Sequence, residues 1–207
     1  MKKFITASPY QPKGKLEKGI YHADNQKLNY DQPTSFPIIP VIHGYADPGE
    51  QIEVIAVLSD YENARYNLTL LEEELNALCA AKNITYTIKK LEIPYNDELD
   101  THLALFEKLI DCTADNDTFY ACLSYGSKPT PLVINMGLNY AHRIHQNVSI
   151  DCIVYGKKDF NDGQMYLYDI TSLFYMDEIV RLLAENHTPD PAGKIKMLLG
   201  QDANNEI

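Results

Sequence analysis

Hydrophobic residues follow two alternating patterns along this chain. Short apolar runs rich in β-branched residues predict buried strands at 3–7, 51–58, 84–93, 117–124, 148–155 and 165–168, with a further short strand at 19–22. Longer stretches with apolar residues three or four positions apart predict helices at 34–45, 63–82, 99–110, 129–145, 172–186 and 192–199. This alternation predicts an α/β fold: a doubly wound, mostly parallel Rossmann-like sheet with helices on both faces.

Two local signals refine this picture. Thr34 and Ser35 precede Pro37 and predict a helix start, because hydroxyl side chains can cap a helix and proline is tolerated in its first turn. Gly137 lies inside a predicted helix at a cost of about 1 kcal/mol relative to alanine, so we expect a close approach of a neighbouring element there.

The length of the chain suits one large domain with a hydrophobic core. It has 207 residues, with no internal repeat and no composition shift typical of an interdomain linker. We therefore expect a single domain over residues 1–200 and a tail over residues 201–207.

The charge balance argues against a general nucleic-acid-binding protein. The formal net charge is -11, whereas such proteins carry a basic surface because phosphate contacts dominate their affinity. Residues 1–28 are locally basic, with six lysines against two acids, and residues 92–117 are acidic, with eight acids against one lysine. We expect no direct binding to long nucleic acids.

Targeting and cysteine patterns indicate a cytoplasmic protein without a metal or cofactor. No signal-peptide pattern follows Met1, and no run reaches 18 apolar residues, so we expect no membrane association. The four cysteines are scattered, and Cys122 and Cys152 lie inside apolar runs typical of core positions.

Two loops after predicted strands carry the candidate chemistry, because ligands of open α/β sheets bind beyond the carboxyl ends of the strands. One is Ser8-Pro9-Tyr10, and the other is Ser124-Tyr125-Gly126-Ser127-Lys128-Pro129. In the second loop Gly126 permits a sharp turn, Ser127 can cap the following helix, and Lys128 adds a positive charge beside the free amides of the helix start. The pattern is that of a phosphate-binding turn, and the alternative is an ordinary capped turn.

Known catalytic motifs do not resolve the function. The chain contains neither of the glycine-rich nucleotide motifs G-x-x-x-x-G-K-[ST] and G-x-G-x-x-G. Arg181 and His187 form an R-x5-H pair similar to that of HEPN-type ribonucleases, but only two short helices surround them. The alternative is a helix end where a cationic side chain is favoured. We assign no catalytic residues.

The order of these segments resembles a CARF domain, the CRISPR-associated Rossmann fold. The likeness spans nearly the whole chain and is carried by segments 34–40, 51–58, 124–129, 153–156 and 168–174. It implies a homodimer that binds cyclic oligoadenylate, the second messenger of type III CRISPR systems, and that controls an effector activity in antiviral defence. By the resemblance, the loop with Ser8 and Tyr10 and the loop from Ser124 to Pro129 face the ligand.

Two functions stay open under this resemblance, and a third alternative is an unrelated doubly wound protein that binds another small anion. In the first, the protein is a sensor of cyclic oligoadenylate, with cyclic tetra-adenylate as the expected ring; Lys128 and backbone amides hold the phosphates, and Tyr10 or Tyr125 contacts the adenines. In the second, it is a metal-independent ring nuclease, in which a ribose 2′-hydroxyl attacks the adjacent phosphate. No effector domain is recognised in the sequence.

Overall fold

The structure, a computed structural model, describes residues 1–200. The predicted tail at 201–207 lies outside the described residues. The seven strands are β1 (Lys2–Ala7), β2 (Tyr21–His22), β3 (Gln51–Ser59), β4 (Thr85–Ile93), β5 (Thr118–Cys122), β6 (Ser149–Lys158) and β7 (Met165–Asp169). The six α-helices are α1 (Ile38–Tyr45), α2 (Glu62–Lys82), α3 (Leu99–Ile110), α4 (Thr130–Ile144), α5 (Thr171–Glu185) and α6 (Pro191–Leu198).

All seven strands form one sheet in the order β2-β7-β6-β5-β1-β3-β4. Every neighbouring pair is parallel except β6 and β7, which run antiparallel. The predicted α/β class with a mostly parallel, Rossmann-like sheet is therefore confirmed.

The direction of the connections creates a switch point in the sheet. From β1 the chain moves outward to β3 and β4, and it then returns to β5 and continues to β6 on the other side. Right-handed crossovers place α1 and α2 on one face and α3 and α4 on the opposite face, in keeping with the packing of α1 on α2 and of α3 on α4. The switch point lies between β1 and β5, where a crevice opens beyond the strand ends.

The core lies on both faces of the central strands. Residues 52 to 58 of β3 are almost all buried, which explains why their pattern is a continuous apolar run rather than an alternation. Phe4 of β1 stacks on Tyr120 of β5, with ring centroids 4.5 Å apart. The four cysteines are buried and form no disulfide, which for Cys122 and Cys152 agrees with their predicted core positions.

Gly137 of α4 confirms the expected close approach of a second helix. A β-carbon built on Gly137 would lie 3.2 Å from Cβ of Leu109, on α3. This distance is tighter than ordinary van der Waals contact. The two helices α3 and α4 can therefore pack this closely only because residue 137 has no side chain.

The predicted start of the first helix is wrong by several residues. The helix begins at Ile38, and its cap position, Pro37, makes no side-chain cap hydrogen bond. The Thr34 hydroxyl instead bonds the carboxylate of Glu74 on α2, and the Ser35 amide donates to the same carboxylate at 3.3 Å. A tertiary contact with a residue 40 positions away thus uses the Thr34 hydroxyl, which the sequence assigns to a helix cap.

The chain divides into two compact units, residues 1–171 and residues 172 onward. The sheet and helices α1 to α4 belong to the first unit, and all of α6 and nearly all of α5 belong to the second. Whether both units act as one domain stays a prediction. Within residues 1–200, no helix combines the length and apolarity needed to cross a bilayer.

Candidate functional site

A cavity of about 590 Å³ opens beyond the carboxyl ends of the strands, in the first unit. It is lined by Tyr10, Tyr95, Asn96, Asp97, Gly126, Ser127 and Lys128. These residues come from the segments that follow β1, β4 and β5, so three strand ends contribute. The structure therefore brings the two predicted loops together and adds a third.

Two tyrosines, Tyr10 and Tyr95, line this site, and a third, Tyr61, packs against both of them. Tyr61 and Tyr95 are stacked with ring centroids 4.4 Å apart, and Tyr10 meets both rings edge-on at 6.0 and 5.3 Å. Tyr95 is half-exposed and Tyr10 only partly buried, so aromatic surface reaches the cavity. Aromatic faces of this kind bind nucleobases of any identity by stacking.

The hydroxyl of Tyr10 forms a hydrogen bond that fixes its position in the site. It lies 2.5 Å from Oγ of Ser59, the last residue of β3. Burial raises the pKa of Tyr10, while hydrogen bonds to Ser59 and from the backbone of Ser127 act in the opposite direction. Tyr10 thus stays neutral near pH 7 and links the loop after β1 to the glycine turn.

The turn before α4 requires glycine at position 126. Gly126 has a φ of 100°, in the left-handed region, and a β-carbon there would lie 2.8 Å from the Thr130 side chain. The turn is closed by Thr130, whose amide donates to the Ser127 carbonyl at 3.0 Å. Any side chain at 126 would be both strained and in collision.

The prediction that Ser127 caps the following helix is wrong. The cap position is Pro129, which makes no side-chain cap bond, and the Ser127 hydroxyl lies 3.1 Å from that of Thr130 instead. Pro129 and Pro131 have no amide hydrogen, and the Thr130 amide is already bonded. The helix start therefore offers an anion fewer donors than its sequence position suggests.

Lys128 is the cation of the site. Its side chain is exposed at the cavity wall, and within residues 1–200 it makes no ion pair. In the same cavity, Asp97 supplies a carboxylate, and the side chain of Asn96 accepts hydrogen bonds from the Glu98 amide and the Thr101 hydroxyl. The site thus combines one ammonium group, one carboxylate and aromatic surface.

The other predicted site residues lie outside this cavity. The Ser8 side chain is buried and donates to the Ala64 carbonyl at 2.6 Å, which anchors the first turn of α2. The Ser124 hydroxyl accepts from the Gly156 amide at 2.7 Å, and the Tyr125 hydroxyl donates to the Ser35 carbonyl at 2.7 Å. Burial raises the pKa of Tyr125 well above its usual range. Contact of these residues with a ligand stays a prediction.

Ser124 and Tyr125 line a neighbouring cavity of about 340 Å³ instead. Its lysines are partly neutralised, because Lys158 pairs with Glu17 at 2.8 Å and Lys157 lies 3.7 Å from Asp159. The charge available to an anion is therefore smaller here than the number of lysines suggests.

The sequence missed the segment after β4. Tyr95, Asn96 and Asp97 follow a predicted strand directly, so the rule that sites lie beyond strand ends could have found them. They lie within the acidic stretch 92–117, for which the sequence predicted no site.

The R-x5-H pair lies in the second unit and has ordinary surroundings. Arg181 donates to Glu178 at 3.0 Å and to Glu185 at 2.6 Å on the same helix. His187 follows the end of α5 with a φ of 46°. This agrees with the alternative interpretation, a helix end.

Comparison with known proteins adds no further identification. No protein-family model matches the chain, and no curated protein matches its sequence. The fold and the cavity define an α/β protein with a candidate ligand site at the switch point of its sheet.

Proposed function

We propose that this protein is a CARF-type sensor of cyclic oligoadenylate in type III CRISPR antiviral signalling, acting as a homodimer that controls an effector. Cyclic tetra-adenylate is the ring that we expect. The observation that carries the proposal is the cavity at the switch point, which joins tyrosine rings to an exposed lysine on a glycine turn.

The chemistry of the cavity suits a nucleotide. Half-exposed Tyr95 and partly buried Tyr10 offer ring surface to an adenine, and Lys128 offers three donors to a phosphate. One lysine per protomer can hold a phosphate without a basic surface overall, which fits the net charge of -11. A ring of repeated nucleotides also suits a symmetric pair, since each protomer supplies the same groups.

Isothermal titration calorimetry with cyclic tetra-adenylate and cyclic hexa-adenylate tests the proposal. We expect saturable binding of one ring per dimer without added metal. A charged hydrogen bond to phosphate contributes about 1.5–3 kcal/mol, so Lys128→Ala should weaken affinity about tenfold or more. Lys196→Ala, at an exposed lysine of the second unit, is the matched control and should bind as wild type.

Two results would overturn the sensor. One is the absence of binding heat with either ring for folded wild-type protein. The other is full affinity in Lys128→Ala, which would show that the ligand binds elsewhere.

A ring nuclease is the second candidate function, and Asp97 favours it. Its carboxylate lies in the same cavity as Lys128 and could accept the proton of an attacking ribose 2′-hydroxyl, whose oxygen displaces the 5′-oxygen at the adjacent phosphorus, and the leaving 5′-oxygen takes a proton from water to become a free hydroxyl. The product would be a linear strand ending in a 2′,3′-cyclic phosphate. Incubation of cyclic tetra-adenylate with wild type and Asp97→Asn, analysed by chromatography, tests this. A ring that stays intact with wild type would exclude it.

A further inference from the structure

Helices α3 and α4 expose large apolar side chains beside the cavity. On α3, Leu99 and Leu103 are 70% and 48% exposed, and on α4, Leu132 and Met136 are 63% and 42% exposed. Exposed apolar residues are common singly, but a contiguous group of them marks an interaction site.

These side chains belong to one surface. Leu99, Leu103 and Phe106 recur at positions i, i+4 and i+7 of α3, which places them along one stripe. Leu132, Met136 and Tyr140 do the same at positions i, i+4 and i+8 of α4. The rings of Phe106 and Tyr140 meet edge-on with centroids 6.3 Å apart, so the stripes adjoin across the seam between the helices. We call these six residues the α3–α4 apolar face.

We infer that the occupant of the α3–α4 apolar face is a second copy of this chain. This deepens the proposed function and rests on it, because it assigns the surface through which the proposed homodimer forms. The first reason is electrostatic. Two chains of net charge -11 repel each other, so they can associate only through a surface poor in carboxylates. Helix α4 has no acidic residue among its 15 positions.

The rim of the face is also complementary to itself. Its α3 side carries the exposed acids Asp100 and Glu107, and its α4 side carries the exposed cation Lys128. A two-fold axis parallel to the two helices would set α3 of one copy against α4 of the other, so that these acids would meet Lys128 on both sides. An isologous dimer requires this kind of self-complementary surface.

The face adjoins the cavity, which is small for the proposed ring in a single chain. Leu99 follows Asp97 by two residues and Leu132 follows Lys128 by four, so the face begins where the cavity wall ends. A cavity of about 590 Å³ is of the size that holds a drug-sized molecule, roughly two nucleotides and not a ring of four. Docking through the face would bring two such cavities to the dimer axis.

Sedimentation-velocity ultracentrifugation of the full chain, without ligand, tests this inference. We expect a dimer for wild type at micromolar concentration and a monomer for the double variant Leu132→Glu/Met136→Glu. Ile20→Glu is the control, since Ile20 is a 46% exposed apolar residue away from α3 and α4, and should stay dimeric. Circular dichroism should show the same helix content in all three. If the double variant fails to fold, Leu132→Ala provides the same comparison, with an expected rise of about tenfold in the dimer dissociation constant.

The outcomes separate this inference from the proposed function. A wild-type dimer that the face variants dissociate supports the inference, and if that dimer binds no oligoadenylate, the sensor proposal alone fails. A wild-type monomer overturns the inference, and the apolar face would then bind a different protein. If that monomer binds oligoadenylate, the sensor proposal still stands. A dimer that persists in the folded double variant also overturns it.

Discussion

At the scale of single residues, Lys3 shows how a charge is held in the interior. Lys3 lies in a strand buried on both sides, and its ammonium group is 2.7 Å from a carboxylate oxygen of Asp117 and 2.6 Å from the carbonyl of Cys112. Both side chains are nearly inaccessible to solvent. When one partner of such a pair is removed, the other charge stays in the interior without a matching charge.

Lys3→Met should therefore destabilise the fold by about 3 kcal/mol, because the nearly buried carboxylate of Asp117 then keeps only the half-exposed N-terminal ammonium of Met1, 3.2 Å away, as a cation. Urea unfolding followed by circular dichroism measures this change. Lys13→Met is the matched control: its pair with Glu62 is exposed and contributes about 0–1 kcal/mol. Equal free energies of unfolding for the two variants would show that the buried Lys3 pair contributes no more to stability than the exposed Lys13 pair.

Substitution of Tyr95 tests whether its ring binds the ligand. Tyr95→Ala should lower affinity for cyclic oligoadenylate by about 1–3 kcal/mol, the range for loss of one stacked base, whereas Tyr95→Phe keeps the ring and should stay near wild type. Calorimetry with both variants gives the comparison. Tyr155→Ala, at a half-exposed ring outside the cavity, controls for loss of surface aromatics. An unchanged affinity of Tyr95→Ala for the ligand would show that Tyr95 does not contribute to binding.

At the scale of elements, the contact at Gly137 sets the distance between α3 and α4. Gly137→Val should destabilise the fold by about 1–3 kcal/mol, because the new side chain must enter the space of Leu109, whose Cβ would lie 3.2 Å from the first added carbon. Asn135→Val introduces the same β-branched residue at a half-buried position of the same helix. A melting temperature for Gly137→Val that equals that of Asn135→Val would contradict the argument.

Periodicity predicted most elements because the dominant cause of each is local. Helix α3 begins and ends where its apolar spacing indicates, at Leu99 and Ile110. The start of α1 could not be predicted, since Thr34 and Ser35 bond Glu74, a partner set by the tertiary fold. The site shows the same division. The need for glycine at 126 could be predicted from the turn pattern, whereas the orientation of the Ser8 hydroxyl depends on its hydrogen bond to the Ala64 carbonyl in α2.

At the scale of the whole molecule, buried tyrosines make stability sensitive to alkali. Burial raises the pKa of Tyr45 to about 12, and it also raises the pKa of Tyr21, Tyr120 and Tyr125. In the unfolded chain these groups ionise near pH 10. Above that pH the unfolded state loses protons that the folded state keeps, so the free energy of unfolding must fall.

We therefore expect stability from this source to be constant below about pH 10 and to decline from there toward pH 12. Urea midpoints measured at several pH values, with tyrosinate absorbance followed in parallel, test this. Tyr45→Phe should show a shallower decline than wild type because it removes one of the shifted groups. A midpoint that stays level between about pH 10 and pH 11.5 would contradict the sign of the effect.

The two margins of the sheet have a further consequence for how copies of the chain meet. At one margin β2 has only two residues, and at the other the outer strand β4 carries exposed Lys89, Lys90 and Glu92. Neither margin offers a long, uncharged template on which a strand of another molecule could add. Edge-to-edge polymerisation into fibres by strand addition is thereby disfavoured.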